Sequence, residues 1–148
     1  TTRERWHVTL AFLGPVPADK HAAVRDAVAQ ASGACDAFDL TLDAVGAFPD
    51  MEHPRVVWVG ASASQPGFAA CAQAVRDGLA KFGFAFDNDA VPHVTVCRLK
   101  RPRPLPDLGP LNPRRVFVDS LTLYESTPLG ASTRYDVVAR APLRRRGE

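Results

Sequence analysis

Cysteine is scarce in this sequence of 148 residues, and its pattern excludes two kinds of protein. The three cysteines are Cys35, Cys71 and Cys97, an odd number without CxxC spacing. Small secreted domains held by disulfides need paired cysteines, and structural zinc sites need closely spaced ligands. We therefore expect neither a disulfide framework nor a metal site, and a reducing cytoplasm is the simpler location.

Long hydrophobic runs and a strong excess of one charge are also absent. No apolar run approaches the roughly 20 residues of a membrane span, and the first five residues are not typical of a signal peptide. A net charge of +2 is too small to favour tight, salt-driven binding to duplex nucleic acid. The sequence thus predicts a cytoplasmic protein without a membrane partner, and we expect a monomer.

The remaining composition, 46% hydrophobic and 23% charged residues, is that of one globular domain with a sizeable core. Apolar periodicity predicts helices over 19–32 and 66–82, each followed by a glycine, Gly33 or Gly83, that we expect to end the helix. Shorter runs of apolar, β-branched or aromatic residues predict strands over 6–13, 38–45, 55–60, 84–86, 93–99, 116–124 and 135–139, with loops over 46–50 and 102–113. Separate helices among hairpin-like strand pairs indicate the α+β class.

A four-residue pattern, His-x-Thr-apolar, occurs twice in the chain. The first motif is His-Val-Thr-Leu at residues 7–10, and the second is His-Val-Thr-Val at residues 93–96, 86 residues later. Each copy lies in a run that predicts a strand, where side chains two residues apart share a face. Each motif therefore presents an imidazole beside a hydroxyl. One such motif is common in strands, but one in each half of the chain indicates a shared site.

Two histidines and two threonines are sufficient for acid–base chemistry on a phosphodiester. One histidine takes a proton from water and the other protonates the departing oxygen, since the ordinary imidazole pKa of about 6.5 allows either role near neutral pH. Threonine hydroxyls can donate hydrogen bonds to the non-bridging oxygens, whose charge grows in the transition state. No metal is required. The residues themselves leave open which histidine is the acid and which is the base.

These motifs, with their flanking residues, resemble the 2H phosphoesterase superfamily. More narrowly, the chain resembles the bacterial and archaeal LigT-like RNA 2′,3′-cyclic phosphodiesterases, a resemblance that rests on the flanking segments at 46–49, 54–58 and 123–126. The resemblance implies a bilobal α+β fold with a pseudo-two-fold axis, antiparallel sheets around a central cleft and helices outside. It also implies hydrolysis of RNA or oligonucleotide 2′,3′-cyclic phosphate ends to 2′-phosphomonoesters, with no metal or cofactor.

Roles are carried over from the resemblance by motif position. His7 is the implied proton donor to the leaving 3′ oxygen, His93 the implied proton acceptor from water, and Thr9 and Thr95 hold the phosphoryl oxygens. Arg98 matches the arginine that follows the second motif and would contact the phosphate. Strict strand alternation, however, places Arg98 on the face opposite His93, so this role needs a strand end, a bulge or a twist. The same alternation would place Cys97 on the face of His93.

Other features carry weaker expectations. Phe48 and Tyr124 are candidates to stack on a base at the mouth of the cleft. Basic residues follow the second motif directly; a solvated loop is the ordinary interpretation, but their position beside His93 favours contact with phosphate. They are Arg98, Lys100, Arg101 and Arg103. We treat residues 1–148 as one domain of two lobes, from which the resemblance implies that an N-terminal strand and helix are missing.

Alternative functions remain open at this stage. The same site in other 2H proteins acts on ADP-ribose cyclic phosphate or on 2′–5′ linked oligonucleotides, and related enzymes can also join RNA ends in reverse. A third possibility is an RNA-end binding module without catalysis, which the intact histidines and threonines disfavour. A substrate panel separates these alternatives.

Overall fold

The computed structural model describes residues 1–147 and confirms the α+β class. Two helices and seven strands follow one another along the chain: α1 (His21–Ala34), β1 (Phe38–Leu42), β2 (Ala44–Phe48), β3 (Val56–Gly60), α2 (Pro66–Ala80), β4 (His93–Arg98), β5 (Arg114–Val118), β6 (Ser120–Leu129) and β7 (Ser132–Pro142). All strand pairs are antiparallel and form three small sheets: β1–β5, β2–β3–β4 and β6–β7. Neither of these helices is long and apolar enough to cross a bilayer.

The core lies between the two helices and the inner faces of the strands. The predicted apolar stripes are buried as expected from their three- and four-residue spacing. The stripe of α1 contains Val24, Ala27, Val28 and Ala31, and that of α2 contains Phe68, Cys71, Ala72, Val75 and Leu79. The helices pack closely because their contact residues are small: a Cβ on Gly78 would lie 3.8 Å from the Cβ of Ala27. Alternate residues of β1 complete this core.

Several element boundaries predicted from the sequence differ from those in the structure. The predicted strand 38–45 is two strands, because Asp43 interrupts it by accepting hydrogen bonds from the backbone and hydroxyl of Ser62, both at 2.7 Å. These bonds hold the pKa of the Asp43 carboxyl below its usual value. Residues 46–48, predicted as a loop, belong to β2. Helix α1 continues past Gly33 to Ala34.

Two predicted strands are wrong because their residues lack a continuous pairing partner. Residues 84–86 form no strand; instead, the ring of Phe84 lies 5.6 Å from the Lys20 ammonium, and the ring of Phe86 lies 4.9 Å from the Arg76 guanidinium. Residues 6–13, which carry the first motif, pair with the rest of the described chain only at Val8, through an isolated bridge. Their apolar pattern reflects packing against the core rather than a β-ladder.

Candidate active site

The second motif lies on β4, the edge strand of the three-stranded sheet. His93 is opposite Gly60 of β3, and Thr95 is opposite Trp58. Since Gly60 and Trp58 are two residues apart, His93 and Thr95 share one face of the sheet, as the sequence predicts. We refer to this as the site face. Val94 points the other way and packs against the core.

A β-bulge in β4 determines the position of Arg98. Between Thr95 and Cys97 the strand holds one residue more than β3, so that Cys97 is opposite Val57 and Arg98 is opposite Val56. Val56 and Trp58 share a face, so Arg98 returns to the site face with Thr95. Cys97 joins Val57 on the other face. The bulge therefore brings Arg98 to the face of His93, which the predicted contact with phosphate requires. It also places Cys97 on the opposite face, so the prediction that Cys97 shares the face of His93 is wrong.

The first motif runs antiparallel to the second and joins it through the bridge between Val8 and Val94. Because both valines are the middle residues of their motifs, this register sets His7 beside Thr95 and Thr9 beside His93. Val8 packs against the core together with Val94. The site face thus receives two histidines and two threonines, each histidine next to the threonine of the other motif.

Both imidazoles are held by the same local hydrogen bond. Nδ1 of His7 lies 2.7 Å from the carbonyl oxygen of Arg5, and Nδ1 of His93 lies 2.8 Å from that of Val91. In each case the acceptor is the residue two positions earlier. A carbonyl oxygen only accepts, so Nδ1 must carry the proton in both rings. Nε2 is left to accept a proton in the neutral ring or to donate one in the imidazolium.

An aromatic pair flanks each imidazole. The ring of His93 lies 5.1 Å from that of Phe48, edge to face, and 5.9 Å from that of Trp58. The ring of His7 lies 4.9 Å from that of Tyr135 and 6.4 Å from that of Tyr124. The two pairs come from different sheets, the first from β2 and β3 and the second from β6 and β7. They limit the orientations of both imidazoles and leave aromatic surface beside each.

The indole of Trp58 forms the floor of the site beside His93. It lies over two glycines on the same face: a Cβ on Gly46 would overlap the ring, and one on Gly60 would come within 2.6 Å of it. Its Nε1 is buried and has no hydrogen-bond partner among residues 1–147. Only glycine at both positions allows the indole to lie flat against the backbone of β2 and β3.

Arg76 of α2 holds the first motif in place. Its Nε donates to the carbonyl oxygen of Leu10, the last residue of that motif, at 2.9 Å. Its Nη1 donates to the carbonyl oxygen of Asn88, in the segment that leads to the second motif. The guanidinium also lies over the ring of Phe86. One side chain therefore links the first motif to the segment that precedes the second motif. This link is important because the first motif is not held by a strand ladder.

A family profile described as the 2′-5′ RNA ligase superfamily matches residues 1–127. The chain belongs to this superfamily. Membership confirms the predicted relationship to the 2H phosphoesterases. The chain is 37% identical over 101 residues to an RNA 2′,3′-cyclic phosphodiesterase of Archaeoglobus fulgidus, covering 68% of this chain and 56% of that protein. It is 31% identical over 136 residues to one of Methanothermobacter thermautotrophicus, covering 86% and 73%.

Solved structures show the same fold. The E. coli LigT protein crystallised with 3′-AMP superposes with a TM-score of 0.79 at 30% sequence identity, over 95% of this chain and 78% of LigT. A Thermus thermophilus protein superposes with a TM-score of 0.84 at 25% identity, over 97% and 80%. These values confirm the predicted LigT-like fold. The chain spans little more than half the length of the Archaeoglobus relative.

The sequence was sufficient to identify the two motifs of this superfamily member, but not all of the residues that surround them in the structure. Phe48 and Tyr124, the candidates for base stacking, lie beside His93 and His7. Trp58 and Tyr135 were missed, although the alternation along β3 indicates that Trp58 shares a face with the site. Nothing in the sequence pointed to Arg76. Within the part of the chain that the structure describes, no three histidine, cysteine, aspartate or glutamate side chains form a metal-binding group.

Proposed function

We propose that this chain hydrolyses RNA 2′,3′-cyclic phosphate ends to 2′-phosphomonoesters by a two-histidine mechanism that requires no metal. The observation that carries the proposal is the matched state of the two imidazoles. Both donate Nδ1–H to a carbonyl oxygen, which leaves Nε2 to accept or donate a proton, and the bridge between Val8 and Val94 joins their segments. The name shared by the curated relatives supports the reaction, and the 3′-AMP in the LigT crystal supports a nucleotide substrate.

In the proposed reaction, a water molecule attacks the phosphorus in line with the leaving 3′ oxygen. Nε2 of His93 takes the proton of that water, and Nε2 of the protonated His7 gives a proton to the 3′ oxygen as its bond to phosphorus breaks. The products are a 2′-phosphate and a 3′-hydroxyl. Each positioned acid or base contributes about 10²–10⁴-fold to such a reaction.

The remaining groups of the site stabilise the charge of the phosphoryl oxygens. The hydroxyls of Thr9 and Thr95 would donate to the two non-bridging oxygens, and the Arg98 guanidinium would form a charge-assisted contact to the phosphate. Phe48 and Tyr124 would stack on the bases next to the cyclic end, a contact worth about 1–3 kcal/mol per base.

The test is a turnover assay on an RNA oligonucleotide that ends in a 2′,3′-cyclic phosphate, performed with EDTA. We expect full activity and a 2′-phosphate product, identified by phosphorus NMR. Loss of activity on chelation would contradict the metal-free mechanism. A 3′-phosphate product would contradict the choice of leaving oxygen.

The same assay on a substrate panel separates the proposal from its alternatives. Faster turnover of ADP-ribose cyclic phosphate or of a 2′–5′ linked oligonucleotide would assign the site to another substrate. Binding of the cyclic-phosphate RNA without any product would identify a binding module instead of an enzyme.

A further inference from the structure

A hollow of about 460 Å³ lies just beyond the end of β4 and is lined by Leu99, Lys100, Arg101 and Arg103. We refer to it as the basic hollow. Three of its four lining residues are cationic. The backbone N–H of Leu99 donates to the carbonyl oxygen of Arg55 at 2.8 Å, which continues the pairing of β3 and β4 one residue past Arg98. The basic hollow therefore begins where the strand of the second motif ends.

Among residues 1–147, the cations of the basic hollow have no acidic partner. Four of the five ion pairs found in this range use arginines elsewhere, and the fifth joins His53 to Asp50. Within the same range no carboxylate lines the hollow, and the first acidic residue after Arg98 is Asp107. Three cations within four residues of sequence, with no carboxylate lining the hollow, favour an anion at this surface.

The segment is also stiff. Pro102, Pro104 and Pro106 restrict its backbone between and after the cations. Less conformational entropy is lost when such a segment is ordered by a ligand than when a flexible loop is ordered. Stiffness of this kind therefore lowers the entropic cost of binding an extended ligand.

The basic hollow follows Arg98, the residue proposed to contact the reacting phosphate, along the chain. Lys100 follows Thr95 by five positions, an extended span of up to about 17 Å. A short oligonucleotide can cover a span of that length, whereas a mononucleotide cannot. Phosphodiesters upstream of the terminal nucleotide carry one negative charge each and repeat along the strand.

We propose that the basic hollow binds the phosphodiester backbone of single-stranded RNA upstream of the cyclic end. This inference rests on the proposed function for the identity of the RNA end, and it adds that polymeric RNA binds more tightly than a nucleoside 2′,3′-cyclic phosphate. Recognition is electrostatic and independent of base sequence, as expected for contacts to phosphates alone.

The test compares a triple variant, K100A/R101A/R103A, with a control variant, R25A/K81A/R145A, which removes the same charge from exposed positions outside the basic hollow. Binding is measured by fluorescence anisotropy of a labelled RNA of about ten nucleotides with a 3′-phosphate, over a range of salt concentrations. We expect the triple variant to bind about tenfold to a hundredfold more weakly at low salt. Its salt slope should fall by about 0.7 for each phosphate that it no longer neutralises. The control should match the parent protein.

Turnover of a nucleoside 2′,3′-cyclic phosphate and of the oligonucleotide distinguishes this inference from the proposed function. The inference predicts a raised KM for the oligonucleotide alone in the triple variant. Equal effects of the two triple variants, an unchanged salt slope, or equal losses on both substrates would overturn it. If the parent protein binds the RNA through these residues but cleaves neither substrate, the proposed function fails and the binding surface stands. Thermal unfolding of both variants verifies that they are folded.

Discussion

Val8 and Val94 are bridge partners in an antiparallel pairing of two segments that lie far apart in the sequence. Each valine is the central residue between a histidine and a threonine. Their pairing therefore crosses the two motifs, so that the histidine of one copy adjoins the threonine of the other. An antiparallel pair has a local two-fold axis, and that axis relates the proposed acid to the proposed base.

The first prediction concerns these two histidines. Replacing His7 or His93 by Ala should lower kcat by about 10²–10⁴-fold, because each removes one of the two proposed proton-transfer groups. The matched control is His21→Ala, which removes an exposed histidine at the start of α1. Steady-state kinetics on the cyclic-phosphate RNA measure the effect. Parental rates in either motif variant would show that its histidine transfers no proton.

The second prediction concerns the bulge in β4. Arg98→Gln should lower kcat/KM by about 10²-fold or more, since it removes the charged group that is proposed to contact the phosphate in the transition state. Cys97→Ser is the control: it alters the neighbouring residue, which the bulge directs to the opposite face. Similar kinetics for the two variants would mean that the guanidinium does not reach the phosphate.

The third prediction concerns the floor of the site. Gly46→Ala forces a methyl group into the indole of Trp58, and overpacking of this kind costs about 1–3 kcal/mol of unfolding free energy. Because Trp58 adjoins His93, kcat should fall as well. Gly33→Ala in α1 is the control, since a Cβ there meets nothing within 4 Å and alanine favours the helix by up to about 1 kcal/mol. Urea denaturation compares the two, and equal stability would contradict the packing described for Trp58.

The fourth prediction concerns Arg76. Arg76→Met keeps much of the aliphatic stem but removes the donors to the carbonyls of Leu10 and Asn88, bonds worth about 1.5–3 kcal/mol each to a charged group. We expect lower stability and a kcat reduced more than KM is raised, because the first motif loses its anchor. Arg76→Lys should recover part of both losses. Arg25→Met on α1 controls for loss of a surface charge, and a stability loss with unchanged kcat would limit Arg76 to a structural role.

The fifth prediction concerns the thiols. Burial, and then the neighbouring Cys35, raises the pKa of the Cys71 thiol to about 12, so the reactive thiolate is scarce at neutral pH. In the native protein at about pH 8 only Cys97, which is half-buried and lines a surface hollow, should react quickly with a thiol reagent. All three should react after unfolding. Because the native pKa of Cys71 exceeds its unfolded value near 9, its contribution to stability is present below that pH and decreases as pH rises toward 12.

Much of the fold was predictable because its signals are local. The stripes of α1 and α2 repeat at helical spacing, and one face of each helix must be buried wherever it packs. The strand of the second motif was equally clear. Over residues 6–13 and 84–86 the same reasoning failed, because a run of apolar, β-branched or aromatic residues shows that residues are partly buried but not whether a neighbouring strand pairs with them.

Residue types and their short-range spacing were sufficient to establish the chemical groups of this protein: two His-x-Thr motifs, the arginine after the second, and two helices with apolar faces. Folding was needed to bring Arg98 to the face of Thr95, since one extra residue in β4 reverses the alternation beyond it. The crossing of the motifs at Val8 and Val94, the anchoring by Arg76 and the aromatic pairs likewise appear only in the folded chain. They depend on contacts between distant segments, which no local pattern records.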